Sequence, residues 1–282
     1  MSEVAIVTDS TADIPQEMIK KYQIRVAPQI LIWDNQTYQD GVDIHPREFY
    51  QRLQKAKSIP TTSQATPDAF REIFEKQLEE GKKVLAILIS DQLSGTIASA
   101  VQAKELFPGE PIEIVNSHTA AMAMGFQVIA AARAAQEGAN LAECKSIAEQ
   151  ARQHTGVLFA VDTLEFLHRG GRIGGATRLL GTAIHIKPIL EIRDGHVEPL
   201  EKVRTRKKSL SRLVELVDQR IDGKRPIRMA VLHASAPEQA EETHSQVNGK
   251  FETQETFCAE VGPVLGTHVG PGTLGIAYMA GM

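Results

Sequence analysis

The sequence predicts an α/β protein, because short apolar runs alternate along the chain with longer amphipathic segments. Residues 4–9 are typical of a buried strand, and residues 15–22 have the spacing of a helix. This alternation favours right-handed crossovers and a mainly parallel sheet with helices on its faces. Asp194 and Gly195 form a strong hairpin signal, so the sheet of the second half should be mixed.

Strands and helices are expected to alternate through the first half of the chain. Strands are predicted at 26–33, 84–90, 112–115 and 157–161, and helices at 46–56, 67–80, 96–107, 119–136 and 141–153. The helix at 67–80 is marked at both ends. Thr66 is placed as its N-cap, Pro67 takes the first helical position, and Gly81 follows its last turn.

The pattern changes after about residue 155, which predicts an N-terminal domain of residues 1–155 and a C-terminal domain of residues 156–282. In the second half, strands are predicted at 186–192, 197–203, 227–233, 253–259 and 274–279, and helices at 209–221 and 238–247. No Pro/Ser-rich linker separates the halves, so they should share a large interface. The cleft between them is the expected place for a ligand.

Length and composition narrow the class of protein. The chain has 282 residues, 42% hydrophobic and 23% charged, as expected for about two globular domains. No apolar run approaches the ~20 residues that span a bilayer, and the N-terminus does not predict a secretory signal. A net charge of −4 gives no attraction toward nucleic acid. Two cysteines, Cys144 and Cys258, cannot form a disulfide framework, so a cytoplasmic location is expected.

Three adjacent hydroxyl residues, Thr61, Thr62 and Ser63, precede the helix predicted at 67–80. Hydroxyl side chains before a helix often act as caps. Thr66 is already placed for that role, so the three hydroxyls are also candidates for ligand contact.

Ser94, Gly95 and Thr96 follow an apolar strand and open the next helix. The carboxyl ends of parallel strands are where ligands bind, and a helix N-terminus attracts anions. Binding of an anion and simple capping of the helix both remain open for this segment.

Two glycine-rich segments of the second half contain a candidate ligand residue each. Arg172 follows Gly170 and Gly171 and is suited either to a carboxylate or phosphate or to an ordinary salt bridge. The segment 262–273 surrounds His268 with glycines, which predicts a tightly turned loop that brings His268 to a crowded site. A structural role for this histidine is the alternative.

Several chemistries find no support in the residues. No Gly-x-Ser-x-Gly elbow and no His-Glu-x-x-His motif occur, and neither a cofactor nor a metal is predicted. Asp9, Asp91 and Asp162 end strands and could ligate a metal, but such residues more often cap loops and helices. The basic residues between Lys202 and Lys208 indicate either a solvated helix start or a surface for phosphate or an acidic partner.

A set of short segments, in order along residues 4 to 280, resembles the DegV family. The segments are Thr8-Asp9-Ser10, Pro60-Thr61-Thr62-Ser63-Gln64, Leu93-Ser94-Gly95-Thr96, Val161-Asp162-Thr163-Leu164-Glu165, Gly170-Gly171-Arg172-Ile173, Lys187-Pro188-Ile189-Leu190, Lys202-Val203-Arg204-Thr205 and Gly266-Thr267-His268-Val269-Gly270-Pro271-Gly272. Two positions depart from the family pattern: Asn116 stands where Asp is usual, which puts a local hydrogen bond in doubt, and His168 stands where Lys is common.

The resemblance implies a bacterial fatty-acid-binding protein with two α/β domains. The N-terminal domain would be a three-layer α/β/α unit with a parallel sheet, and the C-terminal domain a two-layer unit with a mixed sheet. A long-chain acid of the palmitate or oleate class would be buried, with Thr62 and Ser94 hydrogen-bonded to its carboxylate. By the same resemblance, Thr61, Arg172 and His268 would line the head-group end.

The resemblance also implies partners. The carrier would have no chemistry of its own and would present the carboxylate to a separate kinase with a dihydroxyacetone-kinase-like domain. That kinase would make acyl phosphate for phospholipid synthesis, and transient contact with a membrane is compatible with this role.

Two enzymatic alternatives remain open. In the first, Ser94 or Thr62 is the nucleophile of an acyl-ester hydrolase and His268 is its base. In the second, the chain is a phosphotransferase acting alone, a hypothesis that depends on fold similarity to a domain of dihydroxyacetone kinases.

Overall fold

Two larger β-sheets and one small sheet organise the computed structural model, which describes residues 3–56, 58–180 and 186–282. In chain order, the strands are β1 (Val4–Asp9), β2 (Arg25–Ala27), β3 (Ile30–Trp33), β4 (Gln36–Gln39), β5 (Thr61–Ser63), β6 (Lys83–Leu88), β7 (Ile112–Asn116), β8 (Thr155–Ala160), β9 (Lys187–Arg193), β10 (His196–Val203), β11 (Ile227–His233), β12 (Glu255–Glu260) and β13 (Leu274–Ala280). The helices are α1 (Gln16–Tyr22), α2 (Pro46–Leu53), α3 (Pro67–Glu79), α4 (Thr96–Lys104), α5 (Ala121–Gln136), α6 (Leu141–Ala151), α7 (Glu165–Arg169), α8 (Arg206–Ile221), α9 (Pro237–Lys250) and α10 (Pro263–Val269).

The first large sheet is parallel, with strand order β2-β1-β6-β7. All six residues of β1 are buried, as expected for a strand covered on both faces. On one face, Ile6 packs in a cluster with residues of α1, α5 and α6. On the other face, Val7 packs with Phe70 and Phe74 of α3 and with residues of α4. The predicted three-layer arrangement is confirmed.

The second large sheet is mixed, with strand order β10-β9-β8-β13-β11-β12. Of its pairings, β11 with β12 is parallel and the others are antiparallel. The hairpin between β9 and β10 turns at Asp194 and Gly195, whose φ angles of +51° and +82° suit a tight turn of this kind. Helices α8 and α9 cover one face of the sheet.

Helix α5 covers the opposite face of the mixed sheet and so belongs to the cores of both large sheets. Met124 and Phe126 of α5 pack in one cluster with Val157 of β8 and Ala277 of β13, as well as with Ile87 of β6. A helix that is apolar all round must be buried on all sides. This shared core provides the expected interface between the two halves. The division at residues 155 and 156 stays a prediction.

The strand predicted at 26–33 is wrong in its extent. It is divided into β2, which pairs with β1, and β3, which belongs to the small antiparallel sheet of order β4-β3-β5. Pro28 lies between the two strands and lacks the N–H that a continuous ladder would need. The hydroxyl segment Thr61–Ser63, for which the sequence predicts no strand, forms β5.

The segment around His268 is also corrected by the structure. It was expected to be a turned loop, but residues Pro263–Val269 form helix α10. Pro263 occupies the first helical position, where its missing N–H costs nothing, and Gly270 ends the helix with φ of +77°. The glycines therefore mark the boundaries and contacts of a helix.

The predicted signals at α3 are confirmed. The hydroxyl of Thr66 accepts a hydrogen bond from the Ala69 N–H at 3.1 Å, and Gly81 follows the helix with φ of +74°. Among the described residues, none of the helices combines the length and the apolar character required to cross a bilayer.

We expect Gly125→Ala to destabilise the protein by roughly 1–3 kcal/mol, although alanine normally favours helices. The added Cβ would lie 2.7 Å from the sulfur of Met122 and 3.0 Å from the Ala12 carbonyl oxygen. The control is Gly249→Ala in α9, where no atom lies within 4 Å of the new Cβ, and where a gain of up to ~1 kcal/mol is expected. Urea unfolding measures both changes. A change in the free energy of unfolding of the same sign in both variants would contradict this account of α5.

Candidate functional site

A cavity between the two large sheets is the principal candidate site. The atom-free space within it, including open solvent at its mouth, is about 900 Å³. Strands of the mixed sheet contribute to its wall, together with segments that follow strands of the parallel sheet, and the wall is mainly apolar. Its apolar lining includes Ile89, Leu93, Phe159, Ile192, Leu232 and Leu265.

Four of the five predicted site residues contribute polar groups to the wall of the cavity. Thr62, Ser94, Arg172 and His268 all line the cavity. The Thr62 hydroxyl lies 2.7 Å from Nε2 of His268. The guanidinium of Arg172 donates from Nε to the Leu93 carbonyl at 3.0 Å, directly beside Ser94. Residues that are distant in sequence therefore bring hydroxyl, guanidinium and imidazole groups to the wall of one mainly apolar cavity.

Thr61 is the predicted residue that the structure does not bring to this group. It is exposed and does not line the cavity. Successive side chains of a strand point to opposite faces, so Thr62 of β5 turns inward and Thr61 turns outward. Thr61 therefore does not join the other four predicted residues at the cavity wall.

The side chain of His268 is buried and packed against Gly170. A Cβ on Gly170 would lie 2.2 Å from Nδ1 of His268, so only glycine leaves room for the imidazole in this position. Burial, and to a smaller extent the charge of Arg172, lowers the pKa of His268 to about 4. The imidazole is therefore neutral at physiological pH. Within the described chain, Nδ1 has no hydrogen-bond partner.

Two carboxylates that the sequence analysis did not single out hold helix α10 in place. Oδ1 of Asp13 accepts a hydrogen bond from the Gly262 N–H at 3.0 Å, and Asp40 accepts one from the Val264 N–H. The first N–H groups of a helix have no partner within the helix, so the side-chain oxygens of these residues satisfy donors that would otherwise lack a partner. These bonds fix the helix that carries His268. The partners are hundreds of residues apart in sequence, so no spacing could have revealed them.

The aspartates considered as metal ligands have other partners. Asp9 is fully buried and accepts hydrogen bonds from the Ile89 N–H and from Thr11 and Gln29. Asp162 forms an ion pair with Lys187 at 3.0 Å. Asp91 is exposed. In residues 3–56, 58–180 and 186–282, no cluster of three or more His, Cys, Asp or Glu side chains is arranged to hold a metal ion.

The basic stretch divides between the surface and the interior. The exposed residues are Lys202, Arg204, Lys207 and Lys208. Arg206 is half-buried, and its guanidinium donates to the side chain of Gln239 and to the Ala160 carbonyl. This arginine is therefore structural, and the other four cations form a surface patch, named here the basic patch.

Comparison with known proteins gives the family. A model of the DegV family, described as an uncharacterised protein, matches residues 3–281. The chain belongs to the DegV family. A DegV domain-containing protein of Streptomyces coelicolor is 38% identical over 275 residues, 97% of each chain. Protein DegV of Bacillus subtilis is 34% identical over 277 residues, 98% of each chain.

Solved DegV structures share the whole fold. A fatty-acid-binding DegV family protein from Thermus thermophilus has 34% identity and a TM-score of 0.93, with 99% of this chain and all of that chain aligned. DegV of Bacillus subtilis, described as a fatty acid binding protein, has 32% identity and a TM-score of 0.88 over 99% of this chain and all of its own. A stearic-acid-binding protein from Eubacterium ventriosum has 25% identity and a TM-score of 0.92 over 100% and 99% of the two chains.

We expect folding stability to fall as the pH rises through the range in which Asp40 loses its proton. Burial raises the pKa of Asp40 from 3.8 to about 7, so the folded state holds this proton more tightly than the unfolded state. The resulting stabilisation is complete below the ordinary pKa and is lost as the pH approaches and passes 7. Between pH 5 and pH 8 the loss should be about 2 kcal/mol.

Urea unfolding of wild type and Asp40→Asn between pH 5 and pH 8 tests this expectation. The variant lacks the titrating group and should lose less stability over that range. Asp43→Asn removes an exposed carboxylate nearby and is the control, which should follow wild type. Parallel pH profiles for Asp40→Asn and wild type would show that Asp40 does not cause the dependence.

Proposed function

We propose that this DegV family protein binds a long-chain fatty acid, with the acyl chain in the cavity and the carboxylate at Thr62, Ser94, Arg172 and His268. The observation that carries the proposal is a mainly apolar cavity whose wall includes the hydroxyl groups of Thr62 and Ser94 and the cation of Arg172. The similar structures from Thermus thermophilus, Bacillus subtilis and Eubacterium ventriosum, which bind fatty acids, support the same function.

Burial of the acyl chain supplies most of the binding free energy in this proposal. Each buried methylene contributes about 0.8 kcal/mol, so about 14 methylenes of a palmitate-class acid contribute on the order of 11 kcal/mol before the costs of ordering. The polar groups then need only to orient the carboxylate. An acid of the palmitate or oleate class is consistent with this arrangement.

The polar groups can bind a carboxylate without forming hydrogen bonds to both of its oxygens. Two N–H groups of Arg172 are already engaged, since Nε donates to the Leu93 carbonyl and a terminal nitrogen donates to the Gly170 carbonyl at 2.7 Å. Arg172 thus supplies positive charge, while backbone carbonyls accept hydrogen bonds from its guanidinium. One carboxylate oxygen can remain accessible to a phosphoryl donor.

His268 is suited to orienting Thr62. A neutral imidazole carries one N–H, and an orphaned buried N–H is rarer than an orphaned acceptor. Because Nδ1 has no partner, the proton belongs on Nε2, which donates to the Thr62 hydroxyl oxygen 2.7 Å away. Thr62 then keeps its own hydrogen for the ligand.

We further propose that the chain has no catalysis of its own and presents the carboxylate to a separate kinase with a dihydroxyacetone-kinase-like domain, for acyl-phosphate formation in phospholipid synthesis. The basic patch of Lys202, Arg204, Lys207 and Lys208 is the candidate docking surface, because an acidic partner would be attracted to it. A cytoplasmic location and transient contact with a membrane belong to the same proposal.

An acyl-ester hydrolase is the alternative, because Thr62 and His268 are within hydrogen-bond distance of each other. Two observations oppose it. The pKa of His268 is lowered to about 4, which makes a weak base, and Nδ1 has no carboxylate to orient the ring. The hydroxyl of Ser94 lies 2.8 Å from that of Thr96 and is not paired with a histidine among the described residues. A burst with an activated acyl ester that disappears in Thr62→Val would favour the hydrolase.

We expect native mass spectra of undelipidated protein to show one long-chain fatty acid per chain. Thr62→Val and Ser94→Ala should each weaken fatty-acid binding about tenfold, since each removes one hydrogen bond to a charged group. Thr61→Val removes the neighbouring hydroxyl outside the cavity and should leave the affinity unchanged. No adduct and no binding of added palmitate or oleate would contradict the carrier function. A loss in Thr61→Val equal to that in Thr62→Val would contradict the assignment of the head group.

We expect charge reversal in the basic patch to impair transfer to the kinase and to spare fatty-acid binding. Arg204→Glu with Lys207→Glu should lower the rate of acyl-phosphate formation by about tenfold, mostly through slower association. Lys20→Glu with Arg47→Glu reverses two exposed charges elsewhere and is the control. An unchanged rate for the patch variant, measured at low salt with the cognate kinase, would remove the basic patch from the docking surface.

A further inference from the structure

The hydroxyl of Ser94 is the last member of a buried chain of hydrogen bonds that begins at Asp9. Nε2 of Gln29 lies 3.1 Å from Oδ1 of Asp9 and 2.8 Å from the hydroxyl oxygen of Thr96. The Thr96 hydroxyl lies 2.8 Å from that of Ser94. Asp9 and Thr96 are completely buried and Gln29 is almost so, which excludes bulk water from the chain.

The direction of the first bonds follows from the chemistry of the groups. A carboxylate oxygen only accepts hydrogen bonds, so Oδ1 of Asp9 requires the amino side of the Gln29 amide to face it. The Thr11 N–H at 3.0 Å and the Ile89 N–H at 2.9 Å also donate to this carboxylate. The amino group of Gln29 has two hydrogens, and it donates one to Asp9 and the other to Thr96.

The direction of the last bond follows from the previous one. Thr96 uses a lone pair to accept from Gln29 and has a single hydrogen of its own. Among the described residues, the only other hydrogen-bond contact of its hydroxyl is Ser94. A buried donor must be satisfied, so Thr96 donates to Ser94. Ser94 then has its own hydrogen available to donate into the cavity.

We propose that Asp9, Gln29 and Thr96 are positioning residues that make Ser94 a hydrogen-bond donor toward the cavity and thereby favour an ionised carboxylate as the ligand head group. The proposal rests on the proposed function. A carboxylate accepts only, and charge-assisted hydrogen bonds are about twice as strong as neutral ones. A neutral ester of the same acyl length gains less from a donor fixed in this way.

The test compares the affinities for palmitate and methyl palmitate, measured by displacement of a fluorescent long-chain acid from delipidated protein. Thr96→Val replaces the hydroxyl with a methyl group of similar size and should weaken palmitate binding about tenfold, close to the effect of Ser94→Ala. Methyl palmitate affinity should change less than about twofold. Thr96→Ser retains the hydroxyl and should restore the preference for the acid.

Two more variants separate positioning from general damage. Thr8→Val removes another completely buried threonine hydroxyl, which donates to the Ile87 carbonyl at 2.8 Å outside the chain of bonds, and it should keep the acid-to-ester preference. The double variant Ser94→Ala with Thr96→Val should bind palmitate as Ser94→Ala does, because both changes remove the same interaction. If Thr96→Val does not fold, Gln29→Met interrupts the same chain one bond earlier and should also lower the preference.

The outcomes distinguish this inference from the proposed function. A reduced acid-to-ester preference in Ser94→Ala, together with a wild-type preference in Thr96→Val and Gln29→Met, would overturn the positioning role and leave fatty-acid binding intact. Equal losses for palmitate and methyl palmitate in Thr96→Val would also overturn it, since that pattern indicates damage to the acyl cavity. Absence of binding of either ligand to wild type would overturn the proposed function and this inference together.

Discussion

The position of helix α5 between the two large sheets is the constraint on which the cavity depends. A helix with its side chains is about 10 Å across, so it holds the sheets apart along its whole length. Ala120 and Ala121, at the start of α5, line the cavity. Beyond that start, residues of α10 and strands of the mixed sheet form the wall of the cavity. The small side chains at the start of α5 leave part of the space that the cavity occupies.

Arg172 supplies the positive charge at the cavity wall, and the neighbouring histidine adds none. Burial lowers the pKa of His268, which lines the cavity, to about 4, so its imidazole is neutral. Backbone carbonyls hold the guanidinium of Arg172. A single negative charge placed there meets one cation and two hydroxyls. This balance fits an apolar ligand with one carboxylate better than a ligand with several charges.

The parts of the fold that could be predicted are those that depend on residues close together in the sequence. The hairpin at Asp194 and Gly195 and the cap at Thr66 depend on local backbone geometry, and both were found from the sequence. The division of the strand had a local signal, Pro28 itself, but the apolar run around it indicated one continuous strand. The anchoring of α10 had none, because Asp13 and Gly262 are 249 positions apart and meet only in the folded chain. The pleat of β5, which separates Thr61 from Thr62, likewise depends on the register of that strand with β3.

The contact between Thr62 and His268 has two interpretations, and the surrounding groups distinguish them. A nucleophile requires its partner to take a proton, whereas a donor to a carboxylate requires its partner to supply one. His268 is a poor proton acceptor, because burial and the charge of Arg172 oppose its cationic form. Ser94 is arranged in the same way. Gln29 donates a hydrogen bond to the Thr96 hydroxyl, and Thr96 in turn donates one to Ser94. Two hydroxyls from separate elements, both in the wall of the cavity, thus keep their own hydrogens for a ligand, as an ionised carboxylate requires.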